Sequence, residues 1–157
     1  MCFVEGPNEW GCIDMLDLDI AKKRLGEPSL TLCIVKDGHV LFETASHGIS
    51  GFLRAIQELG ERLDGASIAD KIVGKAIALL CLYARIEDVY GSVMSVEAKK
   101  LFEENKVHAE WQELVGSILG NCKSATCPFE GLAAGITNPV EAYKKLKALQ
   151  DSLKQRR

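Results

Sequence analysis

Leu30-Thr31-Leu32-Cys33-Ile34-Val35-Lys36-Asp37-Gly38-His39-Val40-Leu41-Phe42-Glu43-Thr44-Ala45 is the stretch whose reading decides the fold. Two runs rich in apolar and β-branched residues flank an Asp-Gly pair. A two-residue hairpin turn needs positive φ at both central positions, and Asp-Gly tolerates that well. The pattern therefore predicts strands over 30–35 and 39–45, joined as a hairpin.

Downstream of the hairpin, the loop Ser46-His47-Gly48-Ile49-Ser50-Gly51 leads into a helix. Phe52, Leu53, Ile56, Leu59 and Leu63 recur on one side of it, and Asp64-Gly65 ends it. A second helix is expected over 67–85. Ser67 and Asp70 make a capping-box variant at its start, and the segment is apolar nearly all round after Ala76. A helix apolar on every side is buried on every side, so this one is expected at the centre of the domain. A strand over 89–94 follows. Ser95 then caps a helix that Asn105 leaves in the left-handed region, and a strand over 107–114 comes next. Pro128 opens a short helix through Ala134, and Asn138-Pro139-Val140-Glu141 opens the last one, which carries Tyr143, Leu146, Leu149 and Leu153 inward. Upstream, residues 1–13 read as an irregular arm. A helix over 14–25 is stopped by Gly26 and Pro28. A leading hairpin followed by strand–helix alternation predicts an α/β fold: one domain over 14–157, a three-layer α/β/α sandwich with a mixed sheet.

Composition bounds the function classes. The chain has 157 residues with 19 Lys+Arg against 22 Asp+Glu, a net charge of −3. That balance gives no basic footprint for nucleic acid. The N-terminus, Met1-Cys2-Phe3-Val4-Glu5-Gly6-Pro7, lacks the basic and apolar regions of a secretory signal. The longest apolar run, over 76–84, has nine residues. A helix needs about 20 to cross a bilayer. A cytoplasmic protein with no membrane partner is expected. Of the six cysteines, Cys33 falls in a strand and Cys81 in an apolar helix, where a thiol acts as a small hydrophobe. Reduced thiols are expected throughout.

Four constellations carry chemistry. His108-Ala109-Glu110 with Cys122 and Cys127 offers three zinc ligands, His108, Cys122 and Cys127, and an acid/base carboxylate. Against a deaminase metal site, the cysteines are spaced C-x4-C. Alternation with Val107, Ala109 and Trp111 also places His108 and Glu110 on the polar face of a strand. Ser67, Asp70, Lys71, Gly74 and Lys75 form a polar helix start, with Lys71 and Lys75 on one face. Two lysines at a helix N-terminus make a cradle for phosphate or carboxylate. Gly74 inside a helix costs about 1 kcal/mol relative to Ala, a cost that close approach of another group would explain. Cys127, just before Pro128, is placed at a helix N-cap where its pKa is lowered, and Glu130 at the third helical position can cap backbone. Ser46, His47 and Gly48 form a glycine-containing strand-to-helix loop suited to lining a pocket. Lys144, Lys145 and Lys147 read as a solvated helix face.

The segments Leu32-Cys33-Ile34-Val35-Lys36-Asp37-Gly38-His39-Val40-Leu41-Phe42-Glu43, Ser46-His47-Gly48-Ile49, Ala69-Asp70-Lys71-Ile72-Val73-Gly74-Lys75-Ala76 and Cys127-Pro128 together give a resemblance. Over about residues 14–153 the chain is similar to an uncharacterised bacterial and archaeal family of unknown function with a cytidine-deaminase-like fold. The resemblance implies the deaminase scaffold and cleft without the zinc signature. It implies that Ala69-Asp70-Lys71 stands where deaminases carry H-x-E, and that Cys127-Pro128 falls near P-C-x-x-C. It thereby gathers the second and third constellations in one cleft.

The reading is a protein that binds an anionic or nucleotide-like small molecule at the start of the central helix, without zinc. Asp70, Lys71 and Cys127 are the catalytic candidates if there is a reaction. Ser46, His47, Gly48, Ser67, Asp70, Lys71, Lys75 and Cys127 are expected to line the ligand. No cofactor is established, and a homodimer is allowed for. The alternatives are a zinc-dependent nucleoside deaminase-like hydrolase and an interaction protein without a ligand.

Overall fold

The computed structural model describes residues 9–46, 49–118 and 128–155. The elements run α1 (Glu9–Leu25), β1 (Leu32–Lys36), β2 (His39–Thr44), α2 (Ser50–Leu59) with a 3₁₀ turn over Gly60–Leu63, β3 (Ser67–Val73), α3 (Lys75–Ala84), β4 (Asp88–Ser95), α4 (Val96–Glu104), β5 (His108–Val115), α5 (Pro128–Ala133) and α6 (Pro139–Gln155). The sheet is mixed, in the order β2-β1-β3-β4-β5. β1 pairs antiparallel with both β2 and β3, while β3, β4 and β5 are parallel.

The hairpin forms as the sequence predicts. Lys36 lies opposite His39, and Asp37 and Gly38 take φ of 54° and 79°. The turn is held from outside: Asp17 of α1 accepts the Asp37 N–H at 2.9 Å and the Gly38 N–H at 2.8 Å. α1 begins at Glu9, earlier than the expected position 14, so residues 9–13 of the expected arm are helical. Residues 1–8 lie outside the described residues. At the exit of α4 the left-handed residue is Lys106, at φ 59°, one place beyond the expected Asn105.

The main correction concerns 67–74. Ser67–Val73 is a strand at the centre of the sheet, and the helix begins only at Lys75. Ser67, Asp70 and Lys71 are therefore strand residues, and Ser67 caps nothing. A central strand buried on both faces reads as a nearly continuous apolar run, which periodicity alone does not separate from the start of a buried helix. Gly74 is the N-cap of α3, in an extended conformation.

α1 covers one face of the sheet, with Ala21 and Leu25 on Cys33, Val35 and Ala69. The other face carries the main core. Ile34, Ile68, Val73 and Val89 from the sheet meet Phe52, Ile77, Leu80, Phe102 and Leu146 from the remaining helices. α3 is buried nearly throughout, from Ala76 to Cys81, as its composition requires. Tyr83 stacks on Tyr143 of α6, with ring centres 4.5 Å apart. This is the α/β/α sandwich with a mixed sheet that the sequence predicts. Among the described residues no helix is long and apolar enough to cross a membrane.

Candidate functional site

Strand direction fixes where a site can form. β2 runs parallel to β3, because each is antiparallel to β1. The carboxyl ends of β2, β3, β4 and β5 therefore share one sheet edge, and α2, α3 and α4 start there. In open α/β sheets, ligands bind beyond that edge. Helix N-termini carry unpaired N–H groups and partial positive charge, so three of them at one edge favour negative groups.

The start of α3 is the best defined part. Its first two main-chain N–H groups, of Lys75 and Ala76, donate to Oε1 and Oε2 of Glu130 at 2.9 and 2.7 Å. The expected close approach at Gly74 is this carboxylate: a Cβ built there would lie 2.5 Å from Glu130 Cδ. Burial raises the Glu130 pKa, against the pull of the Ala76 and Lys75 N–H groups, and Glu97 in the first turn of α4 adds to the rise. Lys75 Nζ donates to the Ala134 carbonyl at 3.0 Å, just past the end of α5. Glu130 does cap a helix, as its position suggests, but the helix is α3 rather than its own. The contact spans 55 residues, and nothing local signals it.

Ser46 lies at the same edge. Its N–H donates to Thr44 Oγ1 at 3.1 Å, and its carbonyl accepts from Thr31 Oγ1 at 2.7 Å. The Thr31 carbonyl in turn accepts the Lys71 N–H at 3.1 Å, which ties this loop to β3. α2 starts against the end of β2, where a Cβ on Gly51 would lie 2.5 Å from Thr44 Cγ2. Thr31 and Thr44 were missed from sequence; threonines at both ends of a predicted hairpin were the available signal. His47, Gly48, Cys122 and Cys127 lie outside the described residues.

The remaining sequence candidates separate. Lys71 and Lys75 do not share a helix face: Lys71 Nζ reaches the Pro28 carbonyl at 3.4 Å, in the turn after α1. Asp70 is buried within the sheet. Its Oδ1 accepts the Ile72 N–H at 3.2 Å, and loss of water pushes its pKa up to about 7. Ser67 opens β3, and its hydroxyl donates to Asp88 at 3.3 Å. Six strand steps put Ser67 about 20 Å from the carboxyl edge. His108 opens β5 at that same far edge, paired with Glu110 at 2.8 Å, and Glu110 accepts Lys22 Nζ at 2.8 Å. His108 is thus on a polar strand face, as alternation predicts, with the sheet between it and the α5–α3 contact. Among the described residues no group of three His, Cys, Asp or Glu side chains is arranged to hold a metal. Cys33 and Cys81 are free and buried, and burial pushes the Cys33 thiol up to about 12 and Cys81 well above its usual value.

The comparisons with known proteins fit this architecture. A family model described as a domain of unknown function, DUF1893, matches residues 20–150. A crystal structure of a DUF1893 family protein from Thermotoga maritima is similar with a TM-score of 0.76 and 26% identity, covering 84% of this chain and 88% of that one. A dCMP deaminase from cyanophage S-TIM5 gives a TM-score of 0.46 at 14% identity, over 63% of this chain and 96% of that one. No curated protein matches the chain.

Proposed function

We propose that this chain, which belongs to the DUF1893 family, is a small-molecule-binding protein on a deaminase-like scaffold, and that its ligand is anionic or nucleotide-like. The site is the carboxyl edge of the sheet, around the start of α3, with Lys75 as its cation and Ser46 in the neighbouring loop. The observation that carries the reading is the start of α3 itself, where two main-chain N–H groups already hold a carboxylate. A group that binds one oxyanion with two parallel N–H donors is chemically suited to another, phosphate included. Asp70 and Lys71 belong to strand β3, with Lys71 Nζ at the Pro28 carbonyl and Asp70 bonded to the Ile72 N–H, and both are left out of the proposed lining. His47, Gly48 and Cys127 stay in the proposal as neighbours in sequence of Ser46 and Pro128.

Thermal shift of the purified chain against inorganic phosphate and nucleoside monophosphates tests the reading. A ligand that binds only the folded state raises Tm by mass action. The expected result is stabilisation by at least one phosphate-bearing ligand, lost in Lys75→Ala. No stabilisation by any of them, or an unchanged shift in Lys75→Ala, refutes it. Stoichiometric zinc in the purified chain would move the assignment to a metal-dependent hydrolase.

A further inference from the structure

We propose that the cavity between the ends of α3 and α4 is a second binding site, for a free amino acid with an apolar side chain. It lies at the amino edge of the sheet, where β4 and β5 begin, opposite the edge already considered. Its volume is about 400 Å³, which is within the range of small-molecule pockets. Leu82, Ile86, Val107 and Pro139 give it apolar walls, and Arg85, Glu87 and Lys106 bring charge to it.

The frame of the cavity is built twice in the same way. At the end of α3 the Arg85 N–H donates to the Leu82 carbonyl at 3.2 Å, and the Ile86 N–H to the Cys81 carbonyl at 3.0 Å. At the end of α4 the Lys106 N–H donates to the Glu103 carbonyl at 3.3 Å, and the Val107 N–H to the Phe102 carbonyl at 2.9 Å. Both are Schellman ends, which call for a left-handed residue, usually glycine, at the position held here by Arg85 and Lys106. Their φ values are 63° and 59°. Glycine would relieve the backbone at both places, yet both carry a basic side chain, and both line one cavity. The residue after each, Ile86 or Val107, is an apolar wall.

Charge complementarity selects the ligand. Arg85 Nη1 lies 3.6 Å from Asp64 Oδ2. Among the described residues neither Glu87 nor Lys106 enters an ion pair, although both line the cavity. Helix C-termini favour basic residues, which accounts for Arg85 and Lys106 but not for an acidic residue at the same end. An apolar amino acid meets every one of these groups. Its carboxylate suits Lys106, its ammonium suits Glu87 and the negative ends of α3 and α4, and its side chain suits the walls.

Isothermal titration calorimetry of the full chain tests this, with L-leucine and L-phenylalanine as probes. At least one should bind. Isoamylamine and isocaproate each lack one charge of leucine and should bind about tenfold more weakly or worse. Lys106→Gly suits the left-handed backbone, so it should keep its Tm while binding weakens about tenfold. Glu87→Gln should weaken leucine binding and lose the preference for leucine over isocaproate. No heat from either amino acid up to about 10 mM overturns the proposal. So does equal binding of either one-charge analogue, or unchanged affinity in Lys106→Gly. Phosphate ligands play no part here, so this outcome and that for the carboxyl edge are separate.

Discussion

Replacing Asp70 by Asn should remove most of one pH dependence from the stability of this protein. Asp70 is buried in β3, and loss of water raises its pKa from 3.8 to about 7, against the opposing pull of the Ile72 and Lys71 N–H groups. No cation is among the causes of the shift. The folded state therefore holds this proton at pH values where the unfolded chain has lost it. Between about pH 4 and 7 the folded state binds more protons, so stability falls as pH rises through that window and levels off above it. At 1.36 kcal/mol per unit, a shift of about 3 units is worth at most about 4 kcal/mol. Integrated from pH 5 to 8, the loss is about 2.5 kcal/mol. Asn keeps the size and the Oδ1 acceptor for Ile72 but has no proton to lose. Urea unfolding of both chains across pH 5–8 gives the difference directly, and other carboxylates cancel in it. Relative to the parent, Asp70→Asn should gain about 2.5 kcal/mol over that range, or roughly 5–10 °C in Tm. A difference constant within about 0.5 kcal/mol from pH 5 to 8 would show that Asp70 is ionised in the fold, and the reasoning fails.

Three further outcomes follow from contacts already described. Asp17→Ala removes two charge-assisted bonds to the hairpin turn and should cost about 2–3 kcal/mol in urea unfolding; a loss under about 0.5 kcal/mol would mean the turn holds itself. Ser95→Ala deletes the acceptor of the Ala98 N–H at 3.1 Å and should cost about 1 kcal/mol, measured the same way. Lys106→Gly relieves a left-handed backbone at φ 59° and should stabilise by up to about 1 kcal/mol; destabilisation would show that the lysine side chain does something the backbone does not.

Local chemistry made much of the fold legible. The Asp-Gly turn, the Ser95 cap, Pro128 opening α5 and the Asn138 cap all formed where the residues called for them, with the Glu141 N–H on Asn138 Oδ1 at 3.0 Å. Each depends on residues within a few positions of one another. The error at 67–74 has the opposite origin. Ile68, Ile72 and Val73 are β-branched and suit a strand, and Gly74 marked its end, but the apolar run continues into α3 without a break in hydrophobicity. Only pairing with β1 on one side and β4 on the other decides for strand, and those partners lie far along the chain.

The candidate site divides the same way. Gly74 could be read as a place of close approach, because a helix-breaking residue in an apolar run needs a steric reason. What approaches could not be read, since Glu130 arrives from 55 positions away on a separate helix. The sequence by itself determined the elements with local punctuation, the α/β class and the charge balance, because turn, cap and amphipathic preferences act over a few residues. The tertiary structure alone decided that β3 is a strand, that Lys71 and Lys75 part company, and that the positive end of α3 is already filled. Those outcomes depend on long-range strand pairing and on one carboxylate finding two unpaired N–H groups, neither of which leaves a trace in local pattern.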